Sequence, residues 1–206
     1  MNKEMKIPTS LEAVTLEQFS DYHKACCKLK DFVDKNKSED EYLAEDLNFK
    51  LEVCSIFSGV PKEELLEMPI AFINEYVEQL SFLNKEREPK EISHFEFKGK
   101  VYDLPETLRL NTKYGQYIEA VQSEFVSRHT DKNSLIYLAH QLAHTVDYGE
   151  EWDSKERDKL AQEFTQIPAT VALDFSFFLS KKLTIYSLAY LRYVEKQKGS
   201  KQPFMK

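Results

Sequence analysis

The residues best spaced for chemistry are His140 and His144, in the run His140-Gln141-Leu142-Ala143-His144. On a helix this spacing puts both imidazoles on one face, as metal ligation requires. In the zinc-protease motif a glutamate acting as general base follows the first histidine. Here that residue is Gln141, which takes no proton, while Asp147 or Glu150 stands close enough in sequence to be a third ligand. A structural metal held by His140 and His144, or a metal-dependent hydrolase using them, is therefore an alternative. The plainer reading is two histidines on a helix flank, hydrogen-bonded or solvated. The three cysteines, Cys26, Cys27 and Cys54, are too few and too unevenly spaced for a disulfide framework or a zinc knuckle. They read as buried, reduced thiols. Acidic pairs such as Glu63-Glu64 and Glu150-Glu151 sit among polar residues and read as solvated faces. No nucleophile elbow or phosphate loop occurs. The sequence thus assigns no catalytic residue, no metal ligand and no cofactor.

Aromatic residues offer a different kind of site. Tyr42, Tyr76, Tyr137, Tyr186, Tyr190 and Tyr193 fall at helical spacing beside aliphatic residues, which suits core packing with the hydroxyl kept wet. Tyrosine also supplies contact area at low entropic cost, so the sharper expectation is an aromatic contact surface. Trp152, Tyr114, Tyr148, Tyr190 and Tyr193 are the candidates for it.

The elements that would position these residues follow a repeated plan. Ile7 to Phe19 returns, altered, in Leu104 to Tyr117: Pro105 lies over Pro8, Thr112 over Thr15 and Gln116 over Gln18. Downstream, Ile167-Pro168-Ala169 lies over Met68-Pro69-Ile70, and the displacement holds between 97 and 99 residues throughout. Such a period is expected of two diverged tandem copies of one module. Thr15 with Gln18, and Ser38 with Glu41, are capping-box signals opening two helices. The first runs through Phe19, Tyr22, Cys26, Leu29 and Val33. The second carries Tyr42, Leu43, Leu47, Leu51 and Phe57 and stops at Ser58-Gly59. Pro61 opens a short helix, and Pro69 to Leu83 forms another, with Phe72, Ile73, Tyr76, Val77 and Leu80 on its apolar face. Lys85 to Lys90 is the best linker. The alternating residues from Ile92 to Leu104 predict a hairpin turning at Lys98-Gly99-Lys100, with Glu4 to Ile7 placed to add a third strand. The second copy gives a helix capped near Thr112, helices over Ser134 to Val146 and Lys155 to Phe164, and apolar helices after Pro168 and from Leu183 to Tyr193. The expected fold is mainly α, with two modules of three or four helices and a hairpin or three-stranded sheet between or beside them. The first module occupies residues 1–88 and the second, with the hairpin, 89–206, unless both close into one compact domain.

Composition bounds the function. The chain has 206 residues, 42% hydrophobic and 13% aromatic, which suits a packed globular protein. Its net charge of −7 gives no general pull toward nucleic acid or anionic membrane. The N-terminus has no apolar signal segment. The longest apolar run, Ile167 to Leu179, contains Asp174 and is too short to span a bilayer. A soluble protein is expected.

The twice-occurring pattern Pro-x-[Ser/Thr]-Leu, Thr, Gln-[Phe/Tyr] is joined by Ser55-Ile56-Phe57-Ser58-Gly59-Val60-Pro61, by Glu64-Leu65-Leu66 and by Phe95 to Pro105. Together these resemble small helical morphogenesis proteins of tailed bacteriophages, of the tail-assembly-chaperone or virion-component type. The resemblance is one of layout and short motifs, none of them catalytic, over most of residues 5 to 195. It implies a non-enzymatic protein that binds other phage structural or tail proteins, in the host cytoplasm during assembly or in the virion, and that can self-associate. It carries over no site residue. Tyr114-Gly115, where the first copy has only Glu17, departs from the repeat. A cellular helical adaptor holding a peptide between the two modules is the remaining alternative.

Overall fold

Short-range capping sets most helix ends. In the computed structural model, which describes residues 6–35, 38–105, 131, 133–146 and 153–182, helix α1 spans Leu16–Val33. The Thr15 hydroxyl accepts from the Gln18 amide at 3.2 Å, and the Gln18 side chain accepts from the Thr15 amide. Helix α2, Glu39–Ser58, opens on the reciprocal Ser38–Glu41 pair and closes at Gly59, whose φ of 70° is the left-handed cap that glycine adopts without strain. Pro61 and Pro69 then precede the single turn α3, Lys62–Leu65, and helix α4, Ile70–Gln79. The expected helix to Leu83 ends earlier, and Ser81–Asn84 form a 3-10 turn. In the second half, α5 spans Tyr137–Thr145, α6 spans Ser154–Phe164, and α7 covers residues 169–182. Helix α5 begins later than Ser134 because the Ser134 hydroxyl accepts from the Ile136 amide, which holds the entry turn outside the helix.

Strands β1, His94–Phe97, and β2, Lys100–Asp103, pair antiparallel with Phe95 opposite Tyr102. The two turn residues, Lys98 at φ 50° and Gly99 at φ 73°, give the left-handed loop that matches strand twist. Among the described residues the sheet has two strands. Lys6 and Ile7 do not extend it; the Lys6 carbonyl instead accepts from the Tyr76 hydroxyl at 3.2 Å. A lone hairpin is marginal in water, and this one is stabilised on helix α6. Phe95 and Tyr102 stack at 5.2 Å, and both meet the edge of Phe164, at 5.5 and 5.1 Å.

Two hydrophobic clusters fill the interior. One joins Val53, Cys54, Phe57, Leu65, Ile73, Tyr76 and Leu80 from α2 to α4. The other joins the hairpin to Leu138, Leu142, Phe164, Ile167, Ala172 and Phe175 from α5 to α7. They are not closed off from each other. Leu16, from the first half of the chain, lies in the second cluster, and Ala169, from the second half, lies in the first. The crossing is made by backbone: Thr15 bridges Pro168, the Leu16 amide donates to the Ile167 carbonyl, and the Ala169 amide donates to the Val14 carbonyl, both at 2.8 Å. Helix α1 is also tied to the entry of α5. Ser20 accepts from the Leu135 amide at 2.9 Å, and His23 Nδ1 donates to the Asn133 carbonyl at 2.9 Å.

The segment read as a linker, Lys85 to Lys90, is anchored. Arg87 makes a bidentate pair with Asp174 of α7 at 2.7 and 2.6 Å, and the Lys90 amide donates to the same carboxylate. Other expectations are corrected by exposure. Val33, Tyr42 and Leu43 lie on the helices expected to carry them and Phe72 on the face expected to be the apolar side of α4, yet all four are exposed. Helical period identifies a stripe but not whether a neighbour covers it. Among the described residues no helix is long and apolar enough to cross a membrane. The helices expected near Thr112 and from Leu183 to Tyr193 lie outside the described residues.

Candidate functional site

Helices α5 and α6 pack against each other through Leu138, Leu142, Leu160 and Ala161, all buried. This packing is fixed from inside by an arginine. Arg157, only 6% exposed, donates through Nη1 to the carbonyls of Ala143 and Val146, at 3.0 and 3.1 Å. A helix leaves its last carbonyls without internal partners, and Arg157 covers those at the end of α5 with a charge that suits the negative pole there. Nothing local in the sequence distinguishes this arginine from the other charges of the Lys155 to Phe164 helix.

The next residue along α6, Asp158, faces the two histidines. His140, His144 and Asp158 each bring one ligand-type atom into a group whose members all lie within 4.8 Å of one another. The His144 Nε2 to Asp158 Oδ1 distance is 3.6 Å. His144 is buried, His140 part-buried, and the Asp158 side chain exposed. The histidines therefore share a face as their spacing predicts, but His144 is not on a solvated flank. The third acidic partner is a residue that sequence distance did not favour. Asp147 and Glu150, the nearer candidates, lie outside the described residues, as do Trp152, Tyr114, Tyr148, Tyr190 and Tyr193. Asp158 carries no local signal that separates it from the other acids of its helix. Only the antiparallel return of α6 over the end of α5 would have singled it out.

Of the tyrosines expected at helical spacing, Tyr76 is buried, with its hydroxyl pKa raised by burial, Tyr137 is part-buried, and Tyr42 is exposed. Cys54 is buried in the first cluster, and burial pushes its thiol up to about 11. Cys26 and Cys27 are part-buried rather than enclosed. Glu63 and Glu64 are exposed, as their polar surroundings suggest.

A second feature lies on the outer side of the first half. Leu66 is 66% exposed, Ile70 62% and Phe72 39%, a run of large apolar side chains on either side of the Pro69 break. The same stretch turns Leu65, Ile73 and Tyr76 into the core. Single exposed apolar residues are ordinary, whereas several together mark an interaction surface. Elsewhere, Arg87, Pro89, Leu173, Ser176, Phe177 and Ser180 line an open depression of about 380 Å³.

Comparison with protein-family models, with curated protein sequences and with solved structures found no match.

Proposed function

We propose that this chain is a non-enzymatic assembly or structural protein of a tailed-phage particle, acting in tail or head–tail morphogenesis through protein–protein contacts. The observation that carries the contact role is the apolar run Leu66, Ile70 and Phe72, held outward by a helix break whose other face is fully packed. Such a surface keeps its shape without a partner, because its backbone is fixed from beneath, and it gains by being covered. Burying apolar area is worth about 25 cal/mol per Å² before the costs of association. The phage assignment draws on the duplicated sequence layout. Consistent with a repeated scaffold, residues 99 apart are buried in pairs: Leu65 with Phe164, Ile73 with Ala172 and Tyr76 with Phe175.

On this reading the partners are other phage structural or tail proteins, together with further copies of the chain, met in the host cytoplasm during assembly or in the finished particle. Affinity capture of the tagged chain from infected cells tests it. Phage structural proteins are expected to co-purify with the wild type. The Leu66→Glu, Ile70→Glu variant should lose them while melting as the wild type does, since exposed substitutions change stability by only about 0.5 kcal/mol each. Capture that yields no phage structural protein overturns the phage role. Capture unaffected by the double variant removes this surface from it.

A further inference from the structure

The geometry points to a binding site for a divalent transition-metal ion of the zinc class, formed by His140, His144 and Asp158 and tying α5 to α6. Two features of the cluster argue for an ion rather than a plain side-chain contact. At 3.6 Å, His144 Nε2 and Asp158 Oδ1 are too far apart for a hydrogen bond. Yet that separation is close to what two ligands of one tetrahedral ion show, about 3.3 Å for bonds of about 2.0 Å. The third donor, His140, completes a group within 4.8 Å. His140 is part-buried and the Asp158 side chain exposed, so two of the three donors have room to adjust toward an ion.

The frame is already built. Arg157 bonds the carbonyls of Ala143 and Val146, on either side of His144, so α6 cannot slide along α5 without breaking buried hydrogen bonds. Arg157 Nη1 reaches those carbonyls, while the next residue on a helix points roughly 100° away. Asp158 is thus held toward the histidines by the same contact that fixes the helix pair. Two imidazoles and one carboxylate favour zinc and its neighbours over magnesium or calcium, which prefer oxygen ligands throughout. Three protein ligands leave one position for water, and the exposure of Asp158 opens that position to solvent. Gln141, in place of a glutamate, supplies no base beside it. The ion's role on this chain is to join two helices.

The full-length protein, stripped with a chelator, is titrated with zinc chloride by calorimetry and followed by thermal melting. A single equivalent should bind, and the melting temperature should rise with free zinc, as expected of any ligand bound by the folded state alone. Magnesium chloride should do neither. His140→Ala and Asp158→Asn are the test variants, because His140 is part-buried and Asp158 exposed, whereas His144 is buried and its loss could disturb folding. Removing groups that merely orient a ligand weakens metal binding about 10- to 100-fold, so each variant should lose more than about 100-fold. Cys27→Ser is the control, since Cys27 Sγ lies 3.9 Å from the ring of His23 and could capture zinc by itself. Retained affinity in Cys27→Ser with loss in both other variants supports the site. Absence of zinc binding, binding indifferent to His140→Ala and Asp158→Asn, or binding lost in Cys27→Ser overturns it.

Discussion

Replacing Arg87 by alanine should destabilise the whole protein, although the residue sits in a charged stretch that reads as a linker. The Asp174 side chain is only 7% exposed and receives three donors, two from Arg87 and one from the Lys90 amide. Without Arg87 the carboxylate keeps a single donor in a buried position. Breaking a buried pair by removing one partner costs about 3–5 kcal/mol. Arg87 is itself 23% exposed, so water can reach part of the vacated space, and a discounted loss of about 2–4 kcal/mol is expected. For a chain of this size that lowers the melting temperature by roughly 5–15 °C. Replacing both partners, as in Arg87→Met with Asp174→Leu, should recover most of the loss, because an apolar pair of similar size leaves no unpaired charge. The assay is urea and thermal unfolding of the single and double variants, with limited trypsin digestion alongside. Lys85, Arg87 and Lys90 are trypsin sites; the anchored wild type should resist cutting there, whereas Arg87→Ala should be cut at Lys85 and Lys90. A loss within about 0.5 kcal/mol, the value of a solvated surface pair, would refute the anchoring argument.

Core and surface phenylalanines should separate sharply. Phe175, fully buried, should cost about 3–5 kcal/mol on replacement by alanine, whereas Phe72, 39% exposed, should cost less than about 1 kcal/mol by denaturant unfolding. The Cys54 thiol should resist alkylation in the folded protein at neutral pH and react once the protein is unfolded, since its pKa rises from an ordinary 9.0 to about 11. A raised thiol pKa means the folded state favours the proton. That stability is fully present below about pH 9 and fades as pH climbs through about 11, so a pH series of melts should be flatter for Cys54→Ala across this window. At the hairpin, Gly99→Ala should cost about 1–2 kcal/mol because its φ is 73°. Lys98→Asn at φ 50° should be neutral or slightly stabilising, since asparagine tolerates that region; thermal melts of both variants check the pair.

What was legible in the sequence was local. Thr15 with Gln18, Ser38 with Glu41, Gly59, Pro61, Pro69 and Lys98-Gly99 each act within a few residues, and each set an element boundary where it was read. What was not legible depended on distant partners. Asp174 stood out as an acid in an apolar run, but its arginine is 87 residues away. Arg157 and Asp158 are adjacent charges of one charged helix with no local sign to tell them apart, yet one is buried as a helix cap and the other turns toward two histidines. The apolar stripes of α1 and α2 were correctly helical, but periodicity does not report that Val33, Tyr42 and Leu43 extend past the packed ends of those helices.

The contacts hidden from sequence are also those that make the two halves interdependent. Each cluster borrows a residue from the other half, Leu16 in one direction and Ala169 in the other, and the residues beside them pair through backbone hydrogen bonds. Backbone pairing does not depend on which side chains flank it, so this junction tolerates substitution at the surfaces around it. Arg87 and Asp174 then fasten the connecting segment onto α7, which removes the freedom a true linker would allow. The two halves are thus interlocked, each with its own feature: an exposed apolar run around Pro69 in the first and a histidine–carboxylate cluster across α5 and α6 in the second. For the proposed role of presenting surfaces to other proteins such interlocking is an advantage, because every degree of freedom frozen before binding is one that association need not freeze.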